Sequence, residues 1–281
     1  MKFQLKALAA AMVLAAAVPA QAELALGAGG NSSLTIAVFD AGAGVGALFD
    51  LGKNYSDFSK IGTSFANSNV DAEGTNFSWD LTSGDYATAW STFAGLTNSA
   101  NWQFAVMAID NAGTGVGARG VVSTLSQESV SNVTTSGLGN LITNWDKYLV
   151  GASVANSVVF QNHGNDFNPT GIANGASVGS GAPNEGNVAN YFIFDKPFNT
   201  GSKVVGNVGQ SLAVFQYATT SGLSQATSTV FGNNAAFTFT ANGALTYTTN
   251  DIVAEVPEAD TWAMMLLGLG FMGFAARRKQ A

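Results

Sequence analysis

Apolar residues in this chain fall mostly in short alternating runs, the spacing that puts every second side chain on one face of a strand. Leu34-Thr35-Ile36-Ala37-Val38-Phe39 predicts one strand, and Leu48-Phe49-Asp50-Leu51 predicts its return. Phe77-Ser78-Trp79-Asp80-Leu81 alternates, residues 102–109 form a longer apolar strand, and residues 191–194 and 212–217 predict two more. The sharpest pattern is Ala236-Phe237-Thr238-Phe239-Thr240, then Asn242-Gly243, then Leu245-Thr246-Tyr247-Thr248. Two alternating runs about an Asn-Gly pair suit a tight hairpin turn with positive φ. Helical spacing occurs twice. Leu138, Leu141, Ile142, Trp145, Tyr148 and Leu149 share one face. Tyr86, Trp90 and Phe93 share a weaker one over residues 85–93, with Asp85 as the expected N-cap. A Gly/Asn/Ser-rich stretch over residues 162–187 reads as a long loop. The fold expected is mainly β: an antiparallel β-sandwich-like domain with one or two short helices on it.

One segment echoes another. Ala41-Gly42-Ala43-Gly44-Val45-Gly46-Ala47 returns as Ala112-Gly113-Thr114-Gly115-Val116-Gly117-Ala118, and each copy comes after an apolar strand ending in aspartate, at Asp40 and Asp110. Two similar strand–turn–strand units are the reading; one repeat is too few for a solenoid. Both copies fit the dinucleotide fingerprint G-x-G-x-x-A. That fingerprint needs a helix N-terminus to hold a pyrophosphate, and the residues after these glycines are strand-like and broken by further glycine. A hairpin turn explains the glycines better.

The two ends depart from the strand pattern. Lys2 and Lys6 precede an uncharged apolar stretch, residues 7–18, and Ala20-Gln21-Ala22 has the form of a cleavage site. These are the three parts of a secretory signal peptide, so residues 1–22 are expected to be removed between Ala22 and Glu23. At the other end, Val256-Pro257-Glu258-Ala259-Asp260-Thr261-Trp262 leads into an apolar run and then Arg277-Arg278-Lys279. The span 261–276 is roughly 24 Å long as a helix, a little short of a bilayer core, and is expected to form a C-terminal transmembrane helix. Trp262 suits the outer interface, while the three cations suit the cytoplasmic side and act as a stop. Gly268, Gly270 and Gly273 give the span a small-residue face suited to helix contact in lipid. The organisation expected is a signal peptide at 1–22, an extracellular β-rich domain at 23–255, and a sorting tail at 256–281.

The tail resembles the PEP-CTERM sorting signal, also called the ice-binding protein C-terminal domain. The residues that carry the resemblance are Val256-Pro257-Glu258, Thr261-Trp262-Ala263, the Gly-Leu-Gly at 268–270, Gly273-Phe274-Ala275-Ala276 and Arg277-Arg278. Ala259 stands where the motif has its second proline. The resemblance implies a Gram-negative host and signal peptidase and exosortase as partners during export. It implies a cut near Pro257 and Glu258, transient anchoring in the inner membrane, and release to the cell surface or the exopolysaccharide matrix. It describes the tail, so the alternative name carries no ice binding to the body.

Composition narrows the partners. The whole chain of 281 residues has a formal charge of −7. Setting aside the charges of the two ends leaves 16 acidic against 6 basic residues between Glu23 and Pro257, a net of −10. So acidic a body repels nucleic acid and anionic lipid, and its partners are expected among neutral glycans, cations or other proteins. There are no cysteines, which removes thiol catalysis and disulfide stapling, so an exported domain must hold by its core or by bound ions.

No catalytic, cofactor-binding or metal site stands out. Gly175-Ala176-Ser177-Val178-Gly179 fits the nucleophile elbow, but the lone His163 lies upstream of it and the surroundings read as loop. Asn165, Asp166 and Asn168 beside His163 offer hard oxygens to calcium, without the spacing of a known calcium loop. Asp71 with Glu73, or Asp80 with Asp85, has the composition of a glycosidase pair, though acidic neighbours are unavoidable in such a body. Trp79, Trp90, Trp102 and Trp145 fit a sugar-stacking platform or, more simply, a core. The function expected is therefore structural, in a biofilm or exopolysaccharide matrix, and the chain is not expected to be an enzyme. A carbohydrate-binding or adhesin module is the first alternative, and a secreted hydrolase the second.

Overall fold

The computed structural model describes residues 25–61, 67, 69–111, 119–126, 133–150, 153–154, 158–159, 176–180, 204–219 and 225–249. The strands are β1 (Ser33–Asp40), β2 (Val45–Asn54), β3 (Asn76–Asp80), β4 (Gln103–Asp110), β5 (Gly120–Leu125), β6 (Val133–Thr134), β7 (Ser153–Val154), β8 (Val158–Val159), β9 (Ala176–Ser180), β10 (Gly206–Asn207), β11 (Ser211–Thr219), β12 (Gln225–Val230), β13 (Ala236–Phe239) and β14 (Ala244–Thr248). The helices are α1 (Tyr55–Phe58), α2 (Ala87–Leu96) and α3 (Thr135–Val150).

Among the described residues twelve strands form a single sheet, while β7 and β8 pair apart from it. The main path runs β3-β14-β13-β11-β5-β4-β1-β2-β9, with β10 on β4, β12 on β11 and β6 on β12. Every ladder is antiparallel. The expected β class is present, but as one continuous, near-barrel sheet and not as two stacked sheets. Closure comes from side chains. The Trp79 indole of β3 donates to the Leu51 carbonyl of β2 at 2.8 Å. Trp90 of α2 lies 6.5 Å from Phe49 of β2 and 5.8 Å from Phe239 of β13, bridging the two arms.

Burial explains which strands alternate. β1 and β4 are buried along their whole apolar lengths. Their even-numbered residues (Leu34, Ile36, Val38; Phe104, Val106, Ala108) face the core shared with α2, β13 and β14. Odd-numbered ones (Ala37; Ala105, Met107, Ile109) face a second core, which Leu138 and Ile142 of α3 cover. A strand buried on both faces reads as a continuous apolar run. β3, β13 and β14 have one face outward, so they alternate cleanly. Phe58, Phe77, Phe237 and Tyr247 pack ring on ring in the first core at 5.0–5.9 Å. Each such pair adds about 0.5–1.5 kcal/mol beyond its buried area.

Several local expectations are corrected. Asp85 lies in a 3-10 turn at Gly84–Tyr86 ahead of α2, whose N-cap is Tyr86 with no side-chain cap. The 162–187 loop is broken at Ala176–Ser180, where β9 ladders onto β2. The reason is visible in the residues: Ala176 and Val178 alternate with serine and glycine and are buried, so a short edge strand satisfies both side chains and backbone. At the β13–β14 hairpin only Gly243 takes positive φ, at +83°, and its N–H closes onto the Thr240 carbonyl at 3.0 Å. The strands 102–109, 212–217, 34–39 and 48–51 fall in β4, β11, β1 and β2 as expected. The predicted strand at 191–194 lies outside the described residues, as do the signal peptide and the tail with its membrane span. Among the described residues no helix is long and apolar enough to cross a membrane.

Candidate functional site

Among the described residues several buried polar clusters each hold a segment in place. Gln216 of β11 is fully buried. Its amide nitrogen has two hydrogens to share among three acceptors, Tyr55 Oη at 2.7 Å, Ser59 Oγ at 2.9 Å and the Ile61 carbonyl at 2.8 Å. Its amide oxygen accepts from Lys60 N at 2.8 Å and Ile61 N at 2.9 Å. One side chain thus fixes the stretch after α1. Burial pushes the Tyr55 phenol up to about 12, against the pull of its Ser59 and Gln216 hydrogen bonds.

Next to this hub, Lys60 forms an ion pair with Asp71, whose Oδ2 also accepts from Gly232 N at 2.6 Å. Burial works against the Asp71 charge, but the Lys60 and Gly232 hydrogen bonds outweigh it and hold the carboxyl below the ordinary range. Asn233, with φ at +52°, reaches back to donate to the Asp71 carbonyl at 2.8 Å. The Tyr247 phenol donates to the Val70 carbonyl at 2.8 Å, and burial, then the Asp71 charge, raises its pKa.

Asp50 of β2 accepts from Ser33 Oγ at 2.9 Å and Gly52 N at 2.8 Å. Burial raises its pKa in spite of these two bonds. Asp146 of α3 accepts from Gly27 N at 2.8 Å and Ala28 N at 2.7 Å and is also raised by burial. Asp40 accepts from Gly42 N at 2.9 Å, Ala43 N at 3.1 Å and, on its other oxygen, Asn98 N at 3.0 Å. The first glycine echo is therefore a hairpin turn tied by its preceding aspartate, with Gly44 at φ +65°. Residues 112–118 of the second echo lie outside the described residues, but they join β4 to β5, which pair antiparallel.

Asp71 is bound to Lys60, and Glu73 is exposed on the next turn. Asp80 is exposed and accepts from Thr82 N at 2.9 Å and Thr82 Oγ1 at 2.6 Å, bonds that lower its pKa. Asp85 is exposed in its 3-10 turn. Ser177 sits within β9 and so lacks the strand–turn–helix geometry of a nucleophile elbow. Trp90 and Trp102 are core residues, and Trp79 is half-buried on the same core. Among the described residues the exposed large apolar side chains are Leu96 and Val230, neither of them aromatic. The side chain of Trp145 lies outside the described set, as do His163, Asn165, Asp166 and Asn168. The Gln216 hub escaped sequence reasoning, because a glutamine inside an apolar strand carries no motif. A polar residue between Phe215 and Tyr217 was the available signal.

The remaining site residues belong to the ends: Ala22 and Glu23 at the leader, and Val256, Pro257, Glu258, Ala259, Trp262, Arg277, Arg278 and Lys279 in the tail. All lie outside the described residues. The fold and the chain together define a mainly antiparallel β protein with a sorting signal behind it. Residues 255–279 match the PEP-CTERM protein-sorting motif, so the chain carries that motif at its C-terminus. The motif implies export, exosortase-dependent processing and passage through a membrane toward the cell surface. No curated protein and no solved structure matches the chain.

Proposed function

We propose that this is an exported structural protein of the cell surface or extracellular matrix, delivered by an exosortase and contributing to biofilm or exopolysaccharide architecture. The observation that carries the reading is the sorting motif at 255–279, placed after the last strand of the body. β14 ends at Thr248, and Thr249 is pinned by its N–H to the Thr75 carbonyl at 3.0 Å and by its hydroxyl to the Ala72 carbonyl at 2.7 Å. A cut near Pro257 and Glu258 therefore removes no strand of the described sheet. The polar clusters support the same reading, because their hydrogen bonds fix loops and termini to the sheet.

Intact mass of the protein from its host, measured by cell fraction, tests this. A surface or medium species starting at Glu23 and ending near Pro257 is the expected result, with any added mass reporting glycans. A membrane-held species ending at Ala281 would sink the sorting step. It would also assign the Ala259 departure as its cause if Ala259→Pro restored release.

A further inference from the structure

Among the described residues β3 ends the sheet, and its one ladder is with β14. Two flanking hydrogen bonds fix the phase of that ladder: Thr249 N to the Thr75 carbonyl at 3.0 Å, and Leu81 N to the Gly243 carbonyl at 2.9 Å. Residues 75 and 81 therefore bond toward β14, and so do Phe77 and Trp79 between them. The backbone N–H and C=O groups of Asn76, Ser78 and Asp80 point the other way, off the edge. All three residues are exposed, while Phe77 and Trp79 turn inward. Among the described residues no strand ladders onto this edge; the contact that closes β3 toward β2 is the Trp79 side chain on the Leu51 carbonyl, and it uses none of the outward backbone groups.

We propose that β3 is a self-association edge, and that two copies pair these strands antiparallel about a twofold axis through Ser78. The outward groups lie on residues 76, 78 and 80, the Asp80 carbonyl also accepting from Ser83 Oγ at 3.4 Å with its second lone pair open, so they bond fully only when 76 faces 80, 78 faces 78 and 80 faces 76. A shift of two residues either way leaves one end without a partner. The same register is chemically self-complementary. Asn76 meets Asp80 of the second copy, an amide donor against a carboxylate acceptor, and the two Asp80 charges are kept apart. Both groups have capacity to spare. Asn76 Nδ2 uses one hydrogen on the Gly74 carbonyl at 2.8 Å, and Asp80 uses Oδ1 on Thr82.

Pairing would also extend a surface feature. Ser78 faces Thr246, Thr246 faces Thr238, and Thr238 faces Ser211 across four successive strands. Through the twofold axis this hydroxyl row runs on into the second copy. A ladder of three residues a side makes a small contact, and the two acidic bodies repel, so association is weak and strengthens with salt. Nothing in this pairing depends on the sorting tail.

The test uses the full chain in mild detergent. Sedimentation from micromolar to roughly millimolar concentration should show monomer passing to dimer, more readily at high salt. Ser78→Pro removes only an outward N–H and leaves the bonds to β14 intact, so it should weaken association at least about tenfold with unchanged far-UV circular dichroism. If that variant misfolds, Asn76→Asp decides, because it sets carboxylates face to face only in the dimer. The chain has no cysteine, so Ser78→Cys is a clean reporter: about 5.5 Å between facing Cα atoms is within disulfide reach. It should form a disulfide dimer at least about tenfold faster than Ser91→Cys on the exposed side of α2. A wild-type chain that stays monomeric throughout, equal cross-linking at the two sites, or Ser78→Cys captured by a different chain would each overturn the proposal.

Discussion

Ile36 of β1 lies directly across from Val106 of β4, and the two are equivalent positions. Each stands four residues before the buried aspartate that ends its strand, Asp40 or Asp110. The two echo units thus meet strand to strand at matching residues, with their own return strands β2 and β5 on the outside. An antiparallel pair of like strands has a local twofold axis, and here it passes between β1 and β4. The arrangement places the two most apolar strands where both faces are covered, which is the environment their composition requires.

Gln216 is the polar residue on which the region after α1 depends most. Gln216→Leu keeps the volume and leaves the Lys60 and Ile61 N–H groups without their acceptor, while Ser59 Oγ keeps its bond to the Ile61 carbonyl at 2.9 Å and Tyr55 its bond to Ser59. Unpaired buried groups cost about 1–3 kcal/mol each, and the stretch at 59–61 can move to rewet some of them, so a loss of about 3 kcal/mol is expected. Urea denaturation of the two proteins measures it. An equally stable Gln216→Leu would mean that the network orders the segment without stabilising the fold.

The sheet was legible in the chain wherever side chains on a strand had one environment. β1, β2, β4, β11 and the β13–β14 hairpin are plain from Leu34, Phe49, Val106, Phe215 and Tyr247 and their neighbours. β5, with Gly120 and Ser123, and β12, with Thr227 to Thr229, were not, because their apolar content is low and neighbouring strands decide their conformation. β9 was hidden for the same reason. Closure into a near-barrel was also out of reach: it depends on Trp79 meeting Leu51 and Trp90 meeting Phe239, contacts between residues far apart in the chain. The tail was the reverse case, since its motif is local and its meaning does not depend on packing.

The Lys60–Asp71 pair should give the fold an acid limb. The folded-state pKa of Asp71 is held down, so the pair contributes its full stability above the ordinary carboxylate range. That contribution is lost as pH falls from the unfolded value, about 3.9, through the lower folded one. Asp71→Asn should cost about 2 kcal/mol at pH 7, because Lys60 loses its counter-charge in a largely buried setting. The difference from wild type should shrink steadily below about pH 4. Urea midpoints at pH 7, 4 and 3 check it, and a gap independent of pH would assign the loss to packing.

Asp50 should act with the opposite sign. Burial raises its folded-state pKa, so the folded protein holds this proton more tightly than the unfolded chain. Stability falls as pH rises from about 3.9 through the raised value, and the cost is fully present above it. Asp50→Asn removes the charge, and the amide can still accept from Gly52 N and bond Ser33. The variant is expected to be more stable at pH 7, by about 0.5–2 kcal/mol, and to match wild type near pH 3. A less stable variant at pH 7 would show that the ionised carboxylate is needed to orient Ser33, whose hydroxyl also accepts from Ala25 N at 3.1 Å.

Gly243 and Gly209 separate two reasons for glycine in a turn. Both have positive φ, at +83° and +89°. A Cβ at Gly209 meets nothing within 4 Å, so Gly209→Ala should cost only the backbone strain, about 1–2 kcal/mol. A Cβ at Gly243 would stand 2.6 Å from Thr82 Cγ2 and 3.0 Å from the Trp90 ring. Gly243→Ala should add an overpacking cost of about 1–3 kcal/mol and shift the tryptophan fluorescence, since Trp90 bridges β2 and β13. Removing the methyl with Thr82→Ser should return part of that extra cost, while the same change beside Gly209→Ala should return none. Equal losses for the two alanine variants would mean that Trp90 shifts freely, and that α2 is not held by the hairpin it packs against.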